Sequence, residues 1–142
     1  MTSKGTALTY FKVKALDLIP EALLEQSEMV KAERLVALAP LLEQSPFCDI
    51  GVFVDKAKII KGFMITVADP FMETISLAAC GIANDFKDTK FLSEVRGIME
   101  KIARKKECGK IAVQTRRVDD FADAGFAPSD AVMLEAEVSY VG

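Results

Sequence analysis

The stretch from Thr74 to Thr115, TISLAACGIANDFKDTKFLSEVRGIMEKIARKKECGKIAVQT, decides how this chain folds. Its first part, Thr74 to Ala83, is nearly all apolar, which predicts a central strand covered on both faces. Lys90 to Glu107 then carries Leu92, Val95, Met99, Ile102 and Lys106 along one stripe, widened by Phe91 and Ile98, and reads as the clearest helix of the chain. Thr89 suits its N-cap. Arg104, Lys105 and Lys106 suit the negative end of its dipole, and Gly109 suits the C′ position beyond it. Gly97 in the interior costs about 1 kcal/mol relative to Ala, so packing must hold this helix. Lys110 to Thr115 returns as a strand. Together the three elements make a β-α-β crossover, right-handed and parallel.

Working outward, the upstream strands are joined by tight turns and are expected to be antiparallel. Ala7 to Lys14 alternates as a strand. Asp17 stands as an N-cap and Pro20 in the first turn of a helix that runs through Leu24. Ser27 caps a second helix, in which Ala32, Leu35, Val36, Ala39 and Leu42 recur at helical spacing and which Pro40 ends or kinks. Cys48, Ile50, Val52 and Val54 alternate as a strand, Asp55 to Lys58 is a turn, Ile59 to Val67 returns, and Asp69-Pro70 is a second break. Downstream, Val118 to Ala124 is a short helix ending at Gly125. Ala131 to Val138 is a final strand, with Val132, Leu134, Ala136 and Val138 facing one way and Glu135 and Glu137 the other. The order β-α-α-β-β-β-α-β-α-β implies an α/β (α+β) fold, a mixed and mostly antiparallel central sheet with helices on both faces, in one domain spanning 1–142.

Composition narrows the chemistry. Of 142 residues, 51% are hydrophobic and 27% charged, a globular balance that excludes disorder as the default. The net charge of −3 argues against nucleic-acid and membrane-surface roles, which need a basic field. The chain has no His, so the commonest general base and the commonest metal ligand are both missing, and no metal site is expected. Cys48, Cys80 and Cys108 are odd in number and far apart, which reads as a reduced thiol set. With no signal sequence in MTSKGTALTY, a cytoplasmic location is expected. No apolar run approaches the roughly 20 residues of a membrane span.

The element order and four stretches, LTYFKVKALDLIPEALLE, IIKGFMITV, SLAACGIANDF and FADAGFAP, resemble the GNAT-type N-acetyltransferase family across nearly the whole chain. FADAGFAP is similar to that family's tyrosine-x-x-x-glycine-phenylalanine signature, where a short helix turns into the final strand. The resemblance implies a GNAT-like fold and an acetyl-CoA pyrophosphate held at the N-terminus of the long helix. There, in a loop patterned Gln/Arg-x-x-Gly-x-Gly/Ala, glycines let backbone N–H groups reach the phosphates. Ala83 to Leu92 departs from it, with no glycine and no arginine, and Lys87 and Lys90 are offset by Asp85 and Asp88. Phe121 stands where the family commonly has its proton-donating tyrosine, the asparagine usual after the preceding strand is missing from Thr115 to Asp120, and no Glu lies on Ile59 to Val67.

These losses point to a non-catalytic interaction or assembly protein on a GNAT-like scaffold, a pseudoenzyme whose size and losses resemble the internal virion proteins of tailed phages. On that reading no cofactor is needed, a protein partner or self-association is expected, and the location is the cytoplasm or a virion. A mean hydropathy of +0.23 leaves apolar surface for such a partner. The alternative is an acyl-CoA-dependent N-acetyltransferase with an atypical cofactor loop. It would hold acetyl-CoA with Ala83, Asn84, Lys87, Thr89 and Lys90, use Glu73 or a water as base, and use Cys80, Thr115 or a water as proton donor. A third reading is a regulatory module that binds CoA or another anion without chemistry. Cys80 alone reads as a buried structural thiol, and Arg104, Lys105, Lys106, Lys110, Arg116 and Arg117 read as helix-dipole complement and solvated surface.

Overall fold

The computed structural model describes residues 8–27, 29–85 and 90–139. Strands β1 (Thr9–Val13), β2 (Cys48–Val54), β3 (Ile60–Asp69), β4 (Thr74–Ile82) and β5 (Lys110–Val113) lie side by side in chain order in a five-stranded sheet. Neighbours are antiparallel except β4 and β5, which are parallel. A parallel pair needs a crossover, and helix α3 (Phe91–Lys105) supplies it. Helices α1 (Glu21–Leu24) and α2 (Ala32–Gln44) follow β1, and α4 (Val118–Asp123) follows β5. The mixed, mostly antiparallel sheet expected from the sequence is therefore present. The β2–β3 turn closes as Asp55 predicts, with its Oδ1 accepting from Ala57 N at 2.9 Å and Ile59 N at 3.0 Å.

Strand alternation sends side chains to two cores. Ile50, Val52, Phe63 and Ile65 pack with Leu16, Leu23, Leu24 and Leu35 on the α1–α2 face. Phe53, Met64, Ile75 and Leu77 pack with Phe91, Val95, Met99 and Phe121 on the α3–α4 face. Each such fully buried side chain contributes roughly 1.5–3 kcal/mol. On β4 the alternation breaks. Leu77 belongs to the α3 face and Ala79 to the α1–α2 face, although they are two residues apart. The cause is a bulge: Thr66 pairs with Leu77 and Ile65 with Ala79, so Ala78 has no opposite number on β3.

Several local expectations are corrected. Asp17 is not an N-cap: it lies inside a 3-10 turn at Leu16–Leu18, and the short α1 begins separately behind Pro20, which holds the N-cap position. Leu16 N donates to Glu43 Oε2 at 2.7 Å, which ties that turn to α2. Ser27 does not cap α2. Its N–H donates to Leu24 O at 3.1 Å and closes α1, while α2 begins behind Lys31. Pro40 does not end α2, which continues to Gln44; the carbonyl that it deprives of a donor belongs to Val36, on the exposed side of the helix where water can reach it. The long helix ends at Lys105, and its C′ residue is Glu107 at φ +57°, not Gly109. Cys108 N bonds Ala103 O at 2.8 Å and Glu107 N bonds Arg104 O at 3.3 Å, the paired Schellman bonds. The expected N-cap Thr89 lies outside the described residues.

The largest difference is at the end of the chain. Ala131 to Val138, expected as the last strand, forms none, and residues 127–139 are exposed throughout. An alternating sequence becomes a strand only beside a partner, and no neighbouring strand stands beside this one among the described residues.

Candidate functional site

The β4–β5 ladder runs from Thr74–Lys110 to Leu77–Val113 and stops. β4 continues to Ile82, whereas the chain leaves β5 at Gln114 and turns into α4, so the two strands part. The bulge at Ala78 sits where they separate. Ala83 N donates to Lys61 O at 2.8 Å, so strand alternation turns the peptide groups of Ile82 and Cys80 the other way, into the gap. Ligands collect at such carboxyl ends of parallel strands because backbone groups there lack a ladder.

A cleft of about 1180 Å³ fills the gap. Gln26 and Val30, from the α1–α2 connection, line it on one side of the sheet, and Phe91 and Leu92, at the start of α3, line it on the other, where Met29 of that same connection also packs. Thr115, Arg116, Asp120 and Phe121 close its β5 side. The opening therefore joins the two layers through the sheet. Gly81 also serves it: a Cβ there would stand 2.7 Å from the Phe63 ring and 3.3 Å from Gln26 Cβ, so glycine lets that connection lie against β4.

Of the residues singled out from sequence, Cys80, Ala83, Asn84 and Thr115 line the cleft. Cys80 is half-buried and packs toward the α3 core. Lys90 is exposed and stands at the N-cap of α3, and Lys87 and Thr89 lie outside the described residues. Glu73 is not brought to this place. It sits in the β3–β4 turn at φ +51°, its carbonyl accepting from Gly109 N at 3.0 Å. Seven residues of strand, about 23 Å at about 3.3 Å each, separate it from Cys80. Phe121 is buried, its ring edge-on to Phe126 at 5.7 Å. Gln26 and Gln114 were not legible as site residues; for Gln114 the available signal was its place just past the carboxyl end of a parallel strand.

Charge at the mouth is mixed. Arg117 Nε pairs with Asp120 Oδ2 at 2.8 Å, Arg116 is exposed beside them, and Lys61 Nζ meets Asp85 Oδ2 at 3.0 Å, one residue past the cleft-lining Asn84. The N-terminal turn of α3 points its N–H groups toward this end. No group of His, Cys, Asp and Glu among the described residues could hold a metal ion. The arrangement fits an acyl-CoA. The β4 edge over 78–82 offers peptide donors and acceptors to an amide-bearing pantetheine chain, and the cleft is large enough for a cofactor. The loop after Ala83 lacks the glycine cradle, so the phosphates would rest on the α3 N-terminus and its flanking cations.

No family model matches the chain, and no curated protein matches it in sequence. Among solved structures it is similar to the aminoglycoside N-acetyltransferase AAC(6')-Iy in complex with a bisubstrate analogue, with a TM-score of 0.73 and 10% identity, over 94% of this chain and 99% of that one. A possible acetyltransferase from Clostridium difficile 630 matches with a TM-score of 0.73 and 10% identity over the same shares, 94% and 99%. A GNAT family acetyltransferase from Staphylococcus aureus matches with a TM-score of 0.67 and 9% identity, over 92% of this chain and 99% of that one. Likeness in shape at such low identity establishes architecture, and the chain has the GNAT-type fold.

Proposed function

We propose that this chain is an acyl-CoA-dependent N-acyltransferase that moves an acyl group from a thioester to a primary amine. The observation that carries the reading is the parting of β4 from β5 beyond Leu77–Val113, with a bulge at the fork and a cleft through the sheet. Its solved neighbours being acetyltransferases supports it further. The departures noted in the sequence concern side chains, whereas this frame is made of backbone.

Acyl-CoA, when bound, supplies an activated acyl carbon. Peptide groups of β4 beyond the bulge would hold its amide chain and donate to the thioester oxygen as charge develops there. An amine entering from the Gln26–Val30 side would meet that carbon through the opening. The C–N bond forms, the C–S bond breaks, the amine gives up a proton and the departing thiolate gains one. Phe121 has no proton to give, so that step falls to the Cys80 thiol, the Thr115 hydroxyl or water. At the cleft the carboxylates are Asp120, held by Arg117, and Asp123, so water or Asp123 receives the amine proton.

Calorimetric titration with acetyl-CoA, followed by thiol release with a panel of primary amines including aminoglycosides, tests this. Micromolar binding, about −8 kcal/mol, with thiol release that Lys90→Glu weakens is the expected result. Binding without thiol release on any amine would return the chain to the regulatory reading. No binding at millimolar ligand would return it to a non-catalytic assembly protein, virion-associated or otherwise.

A further inference from the structure

Helix α2 is apolar on both sides. Leu35, Ala39 and Leu42 pack into the core on the α1–α2 face, yet the whole run from Leu35 to Leu42, LVALAPLL, holds no polar residue. On the outer side Val36 and Leu41 stand 57% and 67% exposed, with Ala37 and Pro40 exposed between them. A helix that is apolar all round belongs in an interior, and contiguous exposed apolar surface marks an interface. Residues four apart form ridges along a helix, and two ridges bound this face. Glu33–Ala37–Leu41 runs polar, short, large aliphatic, and so does the other ridge taken in reverse, Gln44–Pro40–Val36. The face therefore has a two-fold pseudo-symmetry centred level with the Leu38–Ala39 peptide, and a surface of that kind is complementary to its own copy. We propose that the outer face of α2 pairs antiparallel with the same face of a second copy of this chain, in a two-fold dimer.

In that arrangement a ridge of each helix enters the groove of the other. Val36 meets Pro40 of the second copy and Leu41 meets its Ala37, large against short, so the two axes can come close. Charge fits the antiparallel sense. It sets the Glu33 carboxylate opposite Gln44 of the second copy, whose amide can donate to it, where a parallel pairing would oppose Glu33 to Glu33. The same amide offers a donor to Val36 O, which Pro40 leaves without its helical one. Helix α2 follows directly on the connection whose Gln26 and Val30 line the cleft, so the second copy would steady that wall. The inference is independent of what the cleft binds.

Sedimentation velocity of the full chain across micromolar concentrations should give a dimer. Ala37→Glu sets two carboxylates close across the two-fold axis and should be a monomer with an unchanged far-UV spectrum, since position 37 is exposed and Glu is a good helix former. Should that variant misfold, Leu41→Ser carries the same test. Gln44→Lys should tighten the dimer and Gln44→Glu should weaken it, about fivefold each way from two symmetric exposed contacts with Glu33. A monomeric full chain would overturn the proposal and leave the face to a different protein or to lipid. A folded Ala37→Glu chain that still dimerises, or Gln44 variants with equal dissociation constants, would overturn it too.

Discussion

Lys106 Nζ lies 2.9 Å from Asp49 Oδ2, joining the C-terminal end of α3 to the start of β2. Lys12 Nζ of β1 takes the other oxygen at 2.8 Å, and the carboxylate between them is only 6% exposed. Burial alone would raise the Asp49 pKa, but the hydrogen bonds and positive charges of Lys12 and Lys106 outweigh it and hold the group below its ordinary value. Asp49→Ala leaves the half-buried Lys106 only its hydrogen bond to Pro46 O and should destabilise the fold by about 2–3 kcal/mol, less than a fully buried pair because Lys12 is exposed. Because the folded pKa is lowered, this stability is present above the unfolded pKa and disappears as pH falls through the folded one. Urea unfolding at pH 7 and at pH 3 should show the wild type losing its advantage over the variant in acid.

Glu107 holds the left-handed C′ position of α3, where its Cβ is strained and its charge opposes the helix dipole. Glu107→Gly should stabilise the protein by about 0.5–1 kcal/mol. Thermal unfolding of the two proteins checks it, with a raised midpoint expected and a lowered one refuting the cap.

Gly51 lies under the ring of Tyr10, which itself meets Phe53 edge-on at 5.4 Å. A methyl at Gly51 must displace that ring, so Gly51→Ala should destabilise by about 1–3 kcal/mol. Burial first, and Asp49 second, push the Tyr10 phenol up to about 12. A raised pKa keeps the folded state protonated longer than the unfolded one, so this group's contribution is whole below pH 10 and falls away between about pH 10 and 12. Absorbance titration of the phenolate should find Tyr10 resisting ionisation until that range, and Gly51→Ala should lower it.

Phe121 lines the cleft where a proton donor would be useful. If the cleft transfers acyl groups, Phe121→Tyr should raise kcat about tenfold, below the usual range for a well-placed general acid because nothing has tuned the phenol. Initial rates across pH should then show a new decline at alkaline pH. An unchanged rate and profile would place the ring's para position away from the leaving sulfur.

The crossover from Thr74 to Thr115 was legible because helix period and apolar strand length are local properties. The bulge at Ala78 was not, since an uninterrupted apolar run has no alternation to break. Gly109 drew the helix end to itself by residue type, while the hydrogen bonds settled two residues earlier on Glu107. Glu73 was the nearest carboxylate to stand in for the Glu missing from Ile59 to Val67, but it falls in the β3–β4 turn, and seven residues of extended chain separate it from Cys80. Gln26 belongs to a connection with no motif and reaches the cleft only because Gly81 has no side chain. The pattern of Ala131 to Val138 was readable, but the partner that makes it a strand is not a local property of the sequence.

The extra residue at Ala78 works as a phase shift in the chain. Before it, the odd-numbered positions 75 and 77 feed the α3 layer; after it, the even-numbered Cys80 and Ile82 do. Removing that one residue would restore a regular pleat and leave every later side chain on its present face, so the change would fall on the break in the ladder and not on the two cores. The opening in the sheet is thus encoded in a count of residues more than in their identities. A single deletion there would touch the opening while both cores keep their present side chains.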